Sequence, residues 1–286
     1  MPDKLEEYVL KSLDLPVVPV VANKVLSTAA DPDSTARLLG LVISRDQALA
    51  SRVLRIANSA FYGVNRQINT ISEAVTIIGF DGIKNLALAL SMRGIYKSFG
   101  LLEQLLWDHS AGVAIAAQLA ASHVQLKQKE EVFISGLLHD VGKIVLLNQE
   151  REKYTRVVQL VYNEDYSFSG AEEEIFGFDH AIVGSMVIKK WNFPDFLVNI
   201  ARYHNDISSY KDGDSYIGLM LALVNFADLL CNKLGIGRRT PQEGIDIMSC
   251  DCIRVLNFSQ EQVDDLQEEI PQILEREKEW LEGLKH

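Results

Sequence analysis

Apolar residues recur at three- and four-residue steps along nearly the whole chain, and the two-residue alternation of a half-buried strand is almost missing. This periodicity predicts an all-α, multi-helical bundle. The best strand candidate, "LPVVPVV", carries Pro16 and Pro19, which spoil a central strand. These prolines lead instead into a helix over about 18–29. In "DPDSTARLLGLVI", Asp33 or Ser34 is the expected N-cap. In "RDQALASRVLRIANSA", Leu49, Val53, Ile56 and Ala57 share one helical face. "ISEAVTIIGF" and "DGIKNLALALSM" read as two short helices split near Gly79. Longer helices are expected over about 101–124 and 129–147, and "REKYTRVVQLVYN" is amphipathic. "DHAIVGSMVIKKWN" and "PDFLVNIARYHND" form a pair broken at "NFP", with Pro194 in a first turn.

A helix over about 214–234 ends at Gly235 and Gly237. "TPQEGIDIM" has a capping-box pattern, with Thr240, Pro241 and Glu243 at N-cap, N1 and N3. The acidic tail places Val263, Leu266, Ile270 and Ile273 on one face, interrupted or kinked near Pro271. That face packs on its own domain or meets a partner. A soft boundary at "YKSFG" divides the chain into an N-terminal helical lobe over 1–98, a helical lobe over 99–235 and a C-terminal helical extension over 236–286.

With 286 residues, nearly half of them apolar, the chain can bury a sizeable core. Its formal net charge of -11 argues against general nucleic-acid binding and against attraction to anionic lipid. Cys231, Cys250 and Cys252 are odd in number and poorly spaced for zinc, so they read as reduced thiols near packing surfaces. The opening "MPDKLEEYVLKSLDLP" lacks the apolar run of a signal peptide. "YIGLMLALVNFADLLCNKLG" is interrupted by Asn225 and Asp228 and reads as a buried helix. A cytoplasmic protein with no membrane segment is expected.

Chemistry concentrates in "GLLHDVGK", where His139 and Asp140 follow an apolar run. Either a helix runs out into solvent there, or these residues are half of a metal site. His286 is terminal, and His123 lies near a helix end. The other histidines, His109, His139, His180 and His204, each border apolar residues in helical segments. Singly, each is explained by a satisfied core or surface histidine. Together, imidazoles and a carboxylate suit a borderline divalent metal, and a bundle interior is a place to gather them. Lys143, four residues after His139, either holds an anionic phosphate oxygen or is an exposed helix-end lysine. Gly142 permits close packing or marks weak helix. Arg52, Arg55, Asn58 and Arg66 form either an anion-binding face or a solvated one.

"WDHS", "GLLHDVGK", "DHAIVGSMVIKKWNFP", "ARYHND" and "NFADLL" resemble, in order, the ligand series of HD-GYP phosphodiesterases. "LPVVPVVANKVL", "ANSAFYG" and "INTISEAVTIIGFDGIKNLALALSM" resemble the HDOD family, the HD-related output domains of bacterial signalling proteins. The resemblance runs from about Leu15 to Asp206 and implies an HD-type helical bundle. Carried across, it implies metal ligands at His109, His139, Asp140, His180, His204 and Asp228. Lys143 and Asp140 would be the catalytic pair, and one or two divalent ions (iron, manganese or zinc) the cofactor. Where HD-GYP enzymes have a second histidine, Asn205 stands here, and no "GYP" follows. Asp206 is either a partner for a ligating histidine or a solvated acid.

The resemblance implies a regulatory module that acts by binding a signalling protein or a nucleotide-like ligand, with a homodimer compatible. The rival is an active metal-dependent phosphohydrolase of nucleotides or cyclic nucleotides. A third reading is a scaffold whose polar core holds no metal. No receiver, GGDEF or membrane-sensor segment is read in the sequence. The input signal is therefore expected from outside the chain or from its own pocket.

Overall fold

The computed structural model describes residues 6–7, 9–10, 13–14, 20–31, 33–58, 66–91, 100–164 and 166–276. Pro16, Pro19, most of "ANSAFYG", most of "YKSFG" and His286 lie outside the described residues. Among the described residues every regular element is helical, so the fold is all-α.

Among the described residues, after helical positions at 6–7 and 9–10, come α1 (Val20–Ala30), α2 (Ala36–Ser44), α3 (Gln47–Ala57), α4 (Ile71–Ile78) and α5 (Phe80–Ser91). Their starts follow local capping chemistry. Asp46 caps α3 by accepting the Leu49 amide at 2.9 Å. Thr70 and Glu73 form a reciprocal capping box on α4. Gly79, at φ +89°, takes a conformation that only glycine adopts cheaply and separates α4 from α5. The α2 cap is Thr35 rather than Asp33 or Ser34. The Asp31 carboxylate engages the Asp33 amide in a turn, and the Thr35 hydroxyl is left to meet the Leu38 amide.

The remainder is built around α6 (Leu101–His123), followed by α7 (Lys129–Leu138), α8 (Val141–Gln149), α9 (Arg151–Asn163) and α10 (Phe168–Phe176). Then come α11 (His180–Lys190), α12 (Asp195–Tyr203), α13 (Ser215–Leu234), α14 (Asp251–Leu256) and α15 (Gln260–Arg276). The α1–α5 helices share one apolar core with α6–α12, through residues such as Leu39, Ile83, Leu90, Ile134 and Val187. A second core joins the alanine-rich face of α6 to α13, α14 and α15.

Small residues set the close crossings. A Cβ on Gly136 would lie 2.7 Å from the Ala114 Cα, so α7 rests directly on α6. A Cβ on Gly142 would lie 2.0 Å from the His180 carbonyl oxygen, so α8 and α11 touch backbone to backbone. Gly142 therefore serves close packing.

Several elements differ from expectation. The single helix over about 129–147 is two, α7 and α8, with His139 and Asp140 at the break between them. The Thr240 segment forms no capped helix. Its backbone is taken by α13, where the Gln242 amide donates to the Asn232 carbonyl, and Gly244 follows at once. The next turn is a short 3-10 segment, Ile247–Ser249. α15 runs through Pro271 uninterrupted, held by Val263, Leu266 and Ile270 buried against its own domain. Neither α10 nor α14 is among the helices expected from the sequence. α13 is long and apolar enough to cross a membrane by composition alone, but 61% of its apolar window is buried inside this fold.

Candidate metal centre

The break between α7 and α8 decides the geometry of the site. On an ideal helix His139 and Asp140 would diverge by roughly 100°. With the helix broken, both side chains turn into the interior, at 1% and 4% exposure. Around them the fold gathers His109 from the middle of α6, His180 from the first turn of α11, His204 at the end of α12 and Asp228 from α13. All six are buried.

Asp140 is the hub. Its Oδ1 lies 3.2 Å from His180 Nε2 and 3.4 Å from His204 Nε2. Its Oδ2 lies 3.3 Å from His139 Nε2 and 3.8 Å from His109 Nε2. Asp228 Oδ1 lies 2.9 Å from His109 Nε2 and 3.9 Å from His139 Nε2.

The opposite ring nitrogens fix the tautomers. His109 Nδ1 donates to the Ile236 carbonyl at 3.1 Å, His139 Nδ1 to Gly136 at 2.6 Å and His204 Nδ1 to Ala201 at 3.0 Å. A carbonyl oxygen only accepts, so each Nδ1 carries the proton. His180 Nδ1 meets the Glu172 carboxylate at 2.5 Å, and the same oxygen accepts the His180 amide at 2.8 Å. Four Nε2 atoms therefore point at one small volume, and their outer nitrogens are braced as in histidines that ligate metals.

The donor set fits a divalent ion. His139 Nε2 and Asp140 Oδ1 are buried with no hydrogen-bond partner among the described residues, which is costly unless a cation meets them. Two groups, His109–His139–Asp228 and His139–Asp140–His204, each bring their ligand atoms within 4.8 Å of one another. Nitrogen and oxygen donors together match iron, manganese or zinc.

Charge is balanced locally. Lys143 is buried, not exposed, and its Nζ donates to Asp140 Oδ2 at 2.6 Å. Burial works against the Lys143 ammonium, but Asp140, Asp228 and Glu172 more than offset it and raise its pKa. Burial likewise opposes charging His180, yet Glu172 and then Asp140 push its pKa up to about 10. Burial lowers the pKa of His204. Burial raises Asp140 and Asp228, but the surrounding imidazoles and, at Asp140, Lys143 hold both well below the usual carboxylate range.

Other candidates fall elsewhere. Asn205 lies at the rim, its Nδ2 3.0 Å from His180 Nε2 and 3.2 Å from Ser169 Oγ. Asp206 is exposed and accepts from the Ser208 amide and the Ser208 and Ser209 hydroxyls, so it is a solvated acid at a helix end. Asn58 is bound at both ends of its amide to Ile68, which makes it a loop bracket and not an anion ligand. Arg55 and Arg66 are exposed. His123 is exposed at the end of α6. All three cysteines are free, and Cys231 and Cys252 are buried.

Three partners were missed in the sequence. Glu172 on α10 is fully buried and also accepts from the Tyr154 hydroxyl at 3.2 Å. Its acidic run, "AEEEIF", looks solvated, and only its place eight residues before His180 hints otherwise. Asn232 donates to Asp228 Oδ1 at 2.8 Å, one helical turn on, a spacing that could have flagged it. The Ile236 carbonyl has no side-chain signal at all.

The HDOD domain profile matches residues 15–207. An HDOD domain protein of unknown function from Geobacter sulfurreducens superposes with a TM-score of 0.75 at 27% identity, covering 99% of this chain and 96% of that one. A chain from Shewanella amazonensis SB2B, provisionally named a phosphohydrolase, gives 0.74 at 21% identity, covering 98% of each. One from Marinobacter aquaeolei VT8, provisionally named a signal transduction protein, gives 0.69 at 20%, covering 100% of this chain and 62% of that one. An uncharacterized protein of Treponema pallidum (strain Nichols) is 24% identical over 220 residues, 75% of this chain but only 43% of that relative's length.

Proposed function

The chain belongs to the HDOD domain family, and on that premise we propose that it is a metal-binding regulatory module of bacterial signal transduction. It acts by binding a signalling protein or a small nucleotide-like ligand, in the cytoplasm. The metal would be held by His109, His139, Asp140, His180, His204 and Asp228. Convergent Nε2 atoms around Asp140 carry the metal half of this reading.

Enclosure carries the regulatory half. His139, His180 and His204 are each 1% exposed, and the ammonium of Lys143 is already committed to Asp140. A hydrolase needs an open coordination position beside a cation that is free to meet a phosphate. Around His139, His180 and His204 the interior is closed by side chains, which suits a retained ion better than one that exchanges substrate.

A second reading, hydrolysis of a nucleotide or cyclic nucleotide, is favoured by the position of Lys143 next to the ligand cluster. A bound divalent ion would lower the pKa of a water and polarise a phosphoryl oxygen. Lys143 would have to leave Asp140 to stabilise the developing charge, and Asp140 would hold both metal and lysine.

Metal-reconstituted protein assayed against p-nitrophenyl phosphate, bis-p-nitrophenyl phosphate and cyclic nucleotides separates the two. The regulatory reading expects stoichiometric metal and no turnover. Turnover that disappears in Lys143→Met would replace it with the hydrolase reading.

A further inference from the structure

One face of the centre is not sealed. A narrow cleft with a cavity volume of about 30 Å³ reaches His109 and Lys143 between α6, α9, α10 and the loop after α13, so a ligand larger than a few waters enters by parting its walls. Its walls are apolar and aromatic, with Leu106, Tyr162 and Phe168 among them. Its charged side chains are the cations Lys143 and Arg238. Lys143 Nζ lies 4.5 Å from the Phe168 ring centroid, and the Arg238 guanidinium lies 5.9 Å from the same ring and 5.6 Å from Tyr162.

The two cations differ in their partners. Lys143 is balanced by Asp140. Among the described residues no carboxylate pairs with Arg238. Its Nη1 donates only to the Asn232 amide oxygen at 2.8 Å, and its Nε is enclosed with no acceptor. A guanidinium cannot shed its proton, so a buried N–H of this kind calls for an anion.

Arg238 is also wired to the metal ligands. Asn232, which accepts from Arg238, donates to Asp228 Oδ1, and that oxygen meets His109 Nε2. The same loop supplies the Ile236 carbonyl to His109 Nδ1. Gly237 presses so closely on the His109 backbone that a Cβ there would lie 2.2 Å from its nitrogen. One short loop thus braces two of the three ligands in the His109–His139–Asp228 group.

We propose that this cleft is the chain's own input site for a small aromatic phosphomonoester. The ring lies against Phe168 and Tyr162, and the phosphate faces Arg238 with Lys143 behind it. A dianion suits two cations, and the guanidinium fork matches phosphate oxygens in pairs. Taking the guanidinium releases the Asn232 oxygen. Asn232 then reorients against Asp228, and ligand occupancy is read as a change in metal affinity. This coupling rests on the metal-binding reading, whereas the ligand site does not.

The test is calorimetry with phenyl phosphate on metal-free and zinc-loaded protein, followed by zinc titration with and without saturating phenyl phosphate. Wild type binds phenyl phosphate in the metal-free form, and Arg238→Met weakens it by about tenfold or more. Saturating ligand shifts zinc affinity by about threefold or more in wild type. That shift vanishes in Arg238→Met and in Asn232→Ala, each checked for an unchanged far-UV spectrum. No binding to wild type in either form overturns the site, and equal binding by Arg238→Met overturns the role of Arg238. A zinc shift that persists in both variants overturns the relay, because the phosphate then acts on the ion directly. Protein that binds phenyl phosphate through Arg238 but never takes up metal keeps the ligand site while removing both the coupling and the metal reading.

Discussion

The Nε2 atoms of His180 and His204 lie 3.3 Å apart, while each ring holds a proton on its other nitrogen. Two lone pairs facing each other at that distance in a dry interior repel unless a cation joins them. In the metal-free protein the cation is a proton on His180, whose pKa is pushed up to about 10. A divalent ion, if held there, would supply that charge instead.

Glu172 sustains the high His180 pKa, so it tilts the pH dependence of folding. A raised folded-state pKa gives stability that is complete below the unfolded value near 6.5 and is lost as pH rises through about 10. Glu172→Gln is expected to cost about 3 kcal/mol at pH 6 in metal-free protein. The gap from wild type narrows steadily between pH 7 and 10. Urea denaturation at several pH values reads this directly, and a gap that widens with pH would contradict it.

Asp140 and Lys143 are a buried pair, and removing one strands the other. Asp140→Ala is expected to destabilise metal-free protein by about 3–5 kcal/mol. Combining it with Lys143→Met should recover at least half, since the orphaned ammonium is gone. Chemical denaturation of the double-mutant cycle measures the coupling. A double variant no more stable than Asp140→Ala would mean that the pair does not act as a unit.

Gly142→Ala drives a methyl into the His180 carbonyl, where backbone rather than a flexible side chain must yield. The α8–α11 crossing must open, at a cost of about 2 kcal/mol or more. Because His180 rides on that crossing, zinc affinity falls as well. Thermal melts and zinc titration check both effects. By contrast, Gly218→Ala, inside α13, meets nothing within 4 Å and serves as the clash-free control, with stability unchanged or slightly raised.

Much of this was legible in the chain, for identifiable reasons. Helical periodicity and capping residues placed α3 to α6, α9, and α11 to α13, because the chemistry that starts and stops a helix is local. The histidines drew notice as a set bordering apolar residues, and the full ligand series, Asp228 included, was legible through the resemblance to HD-type domains. What could not be read lives in three dimensions. The break at His139 and Asp140 turns two divergent side chains into convergent ones, and no periodicity shows it. Glu172 hides in a run that looks solvated. The Ile236 carbonyl is backbone, which every residue has. Thr240 failed for the opposite reason: its local signal was sound, but α13 had already taken the backbone groups that a helix there would need.

Metal content tests the central claim most directly. Protein purified without an affinity tag or chelator is measured by elemental analysis beside a His139→Ala/Asp140→Ala variant shown to be folded by circular dichroism. The arrangement around Asp140 predicts about one or two ions of iron, manganese or zinc per chain in wild type and essentially none in the variant. Wild type that stays free of metal even after reconstitution, or a variant that retains it, would contradict a metal centre at these residues.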